Sequence, residues 1–98
     1  MDYPKERMIS VIRRSARLLV THHEQYRGKD GLPKMPETTE RMMMPDGISW
    51  LIKLSAARLP ETTDKDTEDL DVAWHIEDLD DATRRKLTKE ALTNIYDD

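Results

Sequence analysis

Ninety-eight residues, 37% apolar and 37% charged, are enough for one small domain and too few for a deep enclosed pocket. Cysteine is absent, which excludes a disulfide framework and thiolate metal ligation, and no apolar run approaches the length of a membrane span. The net charge of −4 conceals a division: residues 1–58 carry eleven Lys/Arg against seven Asp/Glu, and residues 59–98 carry five against thirteen. Asp2 and Glu6 near the amino terminus do not suit a signal peptide. The chain therefore reads as one soluble cytoplasmic domain over 1–98, with no membrane association.

Pro4 suits a first helical turn and Gly28 suits a left-handed stop, so a first helix is expected over 4–27. At 100° per residue its apolar positions, Met8 to Val20 with His22, His23 and Tyr26, sweep an arc of about 200°, which implies two packing neighbours. Glu6, Ser10, Arg13, Arg17, Thr21, Glu24 and Arg27 lie opposite and read as a solvated face. His22 and His23 fall within the apolar arc as half-buried imidazoles. Neighbouring residues diverge by 100°, which does not suit a zinc pair.

The segment GKDGLPKMP, 28–36, is a turn-rich connection. ETTERMMM forms a short helix stopped before Pro45, which disfavours helical geometry at Met44. Three consecutive methionines cannot all point inward on so short a helix. Core filling is the first reading of this run and an adaptable partner-contact patch the second, with Met42 and Met43 as its candidate residues. Asp46 then caps a third helix, 47–59, that is apolar nearly all round, with Trp50 and Leu54 on a buried face and Pro60 closing it. Such a helix belongs in the middle of a bundle or across an interface with a second copy, so a homo-oligomer is allowed.

Residues 60–67 hold no apolar side chain and read as a linker, the start of an acidic, mobile segment over 60–81. Residues 61–81 hold ten carboxylates against Lys65 alone, and the tetrapeptide EDLD occurs twice, at 68–71 and 77–80. Between the copies, Leu70, Val72, Trp74 and Ile76 alternate as in a strand, yet no second strand is evident, so a short helix or an extended segment is expected. Asp80 or Asp81 caps a last helix, about 81–96, with an apolar stripe of Leu87, Ala91, Leu92, Ile95 and Tyr96. Arg84, Arg85 and Lys86 in its first turns oppose the helix dipole and call for carboxylate neighbours, with Asp78, Asp80 and Asp81 nearest.

The acid pairs Glu68/Asp71 and Glu77/Asp80 could each grip a hard cation, but nine residues of helix is a half turn off register and points the pairs apart. No metal site is assigned. With no nucleophile elbow around any serine and only three glycines, neither a covalent catalyst nor a phosphate loop can be written. No cofactor is implied.

The expected architecture is all-α, a small bundle of three or four helices with 47–59 central and an acidic linker before the last helix. The expected function is non-catalytic binding of a protein with a basic surface. Asp69, Asp71, Asp78 and Asp80 steer the encounter, Trp74 anchors it and Met42 and Met43 add an apolar contact. In general appearance the chain is similar to small acidic phage-encoded inhibitors of nucleic-acid-processing proteins, an analogy only. Two rivals are a nucleic-acid-binding regulator using Arg13, Arg14 and Arg17, which the interleaved acids disfavour, and a small metal-dependent hydrolase.

Overall fold

Pro4 (φ −58°) leads into α1, Lys5–His22, without needing the N–H it lacks. The computed structural model describes residues 3–44, 46–58 and 64–96, without the side chains of 55–58 and 64–67. The first helix ends five residues short of the expected boundary. His23 turns extended (φ −132°, ψ 101°), and a 3-10 turn at Glu24–Tyr26 follows. Gly28 is not its stop. It sits in a closed loop, where its N–H donates to Leu32 O at 2.7 Å and Lys34 N–H returns to Tyr26 O at 2.9 Å. Gly31 at the tip takes φ +81°, the left-handed conformation that favours glycine.

Met35–Met43 form α2, and Met44 turns extended (φ −64°, ψ 144°) as the residue before a proline does. Gly47 opens α3, Gly47–Arg58, where a Cβ would lie 2.3 Å from Arg41 O; only glycine lets the two helices join so closely. The acidic stretch is then helical. Asp64–Glu77 form α4, which settles the helix-or-strand alternative and replaces the expected linker over 64–67; residues 60–63 lie outside the described residues. Asp80 is the N-cap of α5, Asp81–Thr93, accepting from Thr83 N–H. Among the described residues the regular structure is helical throughout, in five α-helices rather than three or four.

The hub is α1, which packs on all four other helices, and not the 47–59 helix. Its arc of about 200° is what permits this. Ile9, Val11, Ile12 and Leu19 meet Met42 of α2, Ile48, Leu51 and Ile52 of α3, Val72, Ala73 and Ile76 of α4, and Leu87 and Ala91 of α5. Ala16, Val20, Leu92 and Ile95 close the far end over Tyr26. Trp50, expected on a buried face with Leu54, is 36% exposed, and Leu54 is only half-buried.

Three helix ends are closed by arginines. The last carbonyls of a helix lack intrahelical donors, and cations there also complement the dipole. Arg27 Nη1 donates to Val20 O at the end of α1 (3.3 Å), Arg84 Nη1 to Glu77 O at the end of α4 (3.1 Å) and Arg13 Nε to Ala91 O near the end of α5 (3.2 Å). This resolves the charge conflict at the start of α5. Arg84 also reaches Asp81 Oδ1 at 3.1 Å, as expected, whereas Arg85 pairs across to Glu40 of α2 at 2.7 Å.

Two exposed carboxylates at this end, Glu40 and Asp80, titrate low. The Arg85 hydrogen bond and charge hold Glu40 below its usual range, and the Thr83 hydrogen bonds hold Asp80 below its own. Each is depressed on folding, so its contribution is fully present above the ordinary carboxylate range and is lost as pH falls through the lowered folded value. The double variant Glu40→Gln, Asp80→Asn keeps a capping amide and removes both titrations. Its thermal midpoint should fall less than that of the native chain between neutral pH and acid; equal falls would contradict the assignment.

Candidate functional site

Four of the seven residues assigned to a partner surface from sequence stand on the surface. Asp71 and Trp74 are exposed on α4 at i and i+3, Asp78 is exposed in the turn directly after it, and Asp80 follows at the cap of α5. Trp74 is 47% exposed. Lys53 of α3 places its Nζ 5.8 Å from the Trp74 ring centroid, a cation–π contact, and lies one turn beyond Trp50. Trp50 in turn carries Arg41 Cζ 4.9 Å above its ring and has His23 at 5.8 Å. Ser49 Oγ donates to Glu77 Oε1 at 2.9 Å and ties the two helices beneath this face. The α3 half of the surface, Trp50 and Lys53, was missed because the helix reads as apolar all round; Trp50 followed one turn later by Lys53 was the available sign.

The other three are corrections. Met42 is fully buried and Met43 is buried, in the core rather than at a partner contact, while Met44 is the exposed methionine of the three. The Asp69 side chain is 3% exposed and faces α1. Its Oδ1 lies 2.8 Å from Arg7 Nη2 and its Oδ2 accepts from Arg14 Nη1, so two arginines seven residues apart straddle one carboxylate. Glu68 contacts the outer side of Arg7 at 3.1 Å. Asp69 therefore cannot steer a partner.

The solvated reading of the polar side of α1 holds for Glu6, Ser10, Thr21 and Glu24, which are exposed, and not for Arg13, Arg17 and Arg27, which are half-buried. Glu6, Arg7, Ser10, Arg13, Arg14 and Arg17, with Asp69 as the far wall, line a cleft of about 510 Å³. Arg13, Arg14 and Arg17 are half-buried, and Arg13 is committed to Ala91 O. Neither Arg7 nor the burial of Asp69 was anticipated. An aspartate in register with Val72, Ala73 and Ile76, at i, i+3, i+4 and i+7, was the signal that could have found it.

The histidines do not form a site. His22 is exposed instead of half-buried, and His23 is partly buried with an Nε2 that lacks a hydrogen-bond partner, where one satisfied nitrogen was expected. Glu68 faces Arg7 and Glu77 faces Ser49, so the two EDLD copies diverge. Among the described residues no group of three His, Cys, Asp or Glu is placed to hold a metal ion, and no helix is long and apolar enough to cross a membrane. No protein-family model, no curated protein and no solved structure matches this chain.

Proposed function

We propose that the protein is a non-catalytic binding module that engages a protein with a basic surface through the α3–α4 face centred on Trp74. The observation that carries this reading is Trp74 itself. An indole held nearly half exposed on an ordered helix, between Asp71 and Asp78, combines an apolar anchor with charges that attract cationic surfaces. The core is complete without it. Inhibitors of nucleic-acid-processing proteins, phage-encoded ones included, are one class with such partners, and the link to them is analogy. Direct nucleic-acid binding through α1 is the weaker reading, because its arginines are turned toward Asp69 and Ala91 O.

The test starts from the partner captured from the native host and continues in stopped flow. Trp74→Ala should raise the dissociation rate about tenfold or more, as removal of an interface anchor does, with the thermal midpoint nearly unchanged. Asn at Asp71, Asp78 and Asp80 should slow association and flatten its salt dependence. Unaltered kinetics for both variants, or collapse of the fold in the Trp74 variant, would refute the reading.

A further inference from the structure

We infer that the cleft between the 28–34 loop and the end of α5 binds a small amphiphilic cation, an ammonium group carried on an alkyl or aryl body. The large apolar side chains left exposed among the described residues fall into two groups. Trp50 and Trp74 stand on the α3–α4 face, with Met44 at the end of α2. Leu32, Met35 and Tyr96, 47%, 37% and 57% exposed, stand instead around this one cleft. Pro33, Leu92 and Ile95 complete an apolar lining, and the volume, about 540 Å³, lies within the range of small-ligand sites. Apolar surface gathered around a hollow is what the body of such a ligand would cover.

The walls are held in place before any ligand arrives. The loop is closed on itself by Gly28 N–H on Leu32 O and by Lys34 N–H on Tyr26 O. Tyr96 Oη then donates to Gly31 O at 3.0 Å, which ties the chain just past α5 to the tip of that loop. The floor is the core itself, because Leu92 and Ile95 are buried with Ala16 and Val20. A preformed hollow lowers the ordering cost of binding.

Charge selects the head group. Asp30 is the one lining side chain that is ionised at neutral pH; Lys29 and Lys34, exposed on the same loop, lie outside the lining. Its Oδ1 accepts from Leu32 N–H at 3.0 Å, and its other oxygen takes no hydrogen bond among the described residues. The Tyr96 ring, fixed to the residue that follows Asp30, offers an aromatic face to the same cation. The negative end of the α5 dipole lies here too, with no basic residue in its last turn. The adjoining hollow between α2 and α5, which shares Met35 and Thr93, carries Lys89 and the Arg85–Glu40 pair, so a cation is directed to the Asp30 end with its body toward Met35. This cleft shares no residue with the Trp74 face, and the two readings stand or fall independently.

The experiment is titration of the full chain at neutral pH with 4-phenylbutylammonium, and with 4-phenylbutanol and 4-phenylbutyrate for comparison, followed by amide shifts. The ammonium should bind with a Kd below about 1 mM and shift Gly31, Leu32, Met35, Ile95 and Tyr96. It should bind at least about fivefold more tightly than the alcohol, with the carboxylate weakest. Asp30→Asn keeps an oxygen for the Leu32 N–H; it should bring the ammonium down to the affinity of the alcohol and leave the alcohol unchanged, a split that loss of loop structure would not give. Absence of shifts up to about 10 mM ammonium, shifts centred elsewhere, or equal affinities for ammonium and alcohol in the native chain would overturn the inference. Shifts of the same amides on concentrating the chain alone would overturn it in favour of a second copy. Displacement of the ammonium at far lower concentration by a short acetylated peptide of apolar residues and one lysine would overturn it in favour of a protein segment.

Discussion

Asp69→Ala should cost about 3 kcal/mol of folding stability, enough to bring a domain of this size close to its unfolding threshold. Removing one partner of a buried ion pair leaves charge without compensation, and here a single carboxylate serves both Arg7 and Arg14. The cost falls at the lower end for such losses because the two guanidinium groups keep about a quarter of their surface, 24% and 27%, and can turn toward water. Urea unfolding should show a lower midpoint with an unchanged slope. Asp71→Ala, two residues on and exposed, is the control and should change the midpoint by no more than about 0.5 kcal/mol equivalent. If the two variants were equally stable, the buried pairing would be wrong and Asp69 would return to the acidic surface.

The same residue explains where the sequence could be read and where it could not. All-helical structure, the Asp80 cap and the stripe of Leu87, Ala91, Leu92 and Ile95 follow from periodicity and capping chemistry alone, whereas α5 stops at Thr93 and Tyr96, expected on the same stripe, is exposed. The course of 68–79 did not, because counting only apolar residues splits Leu70, Ala73 and Trp74 from Val72, Ile76 and Leu79. The buried face is Asp69, Val72, Ala73 and Ile76, a regular helical stripe whose first position is a carboxylate. It becomes visible only when the arginines of α1, three helices back in the chain, are known to lie opposite it. Trp74 was singled out as a candidate anchor from the apolar island it shares with Val72 and Ile76 among the acids, and the helix that buries that stripe turns the indole outward. Tertiary partners likewise decided the hub: α1 and α3 both looked fit for the centre, and the exposure of Trp50 and Lys53 places α3 at the rim.

Met42→Ala should cost about 2–5 kcal/mol, the range for truncating a fully buried side chain to leave a cavity. Met42 has no exposed surface and packs in the cluster that joins Ile12 of α1 to Ile48 of α3. Three consecutive methionines do not all face inward, as expected, since Met44 is exposed, but the two adjacent ones before it do, for a specific reason. α2 packs against α5 on one side and against α1 and α3 on another, so side chains about 100° apart both find cover. Met43 is accordingly buried with Met42, and Met44, where the helix stops, is left 48% exposed. Met44→Ala should therefore fall within about 0.5 kcal/mol of the native chain. Met42→Leu, which nearly conserves volume, should recover most of the loss and cost less than about 1.5 kcal/mol. Thermal or urea unfolding of the three variants separates a packing role from a surface role. A Met42→Ala chain as stable as the native one, and impaired in partner capture, would move the methionines back to the binding face.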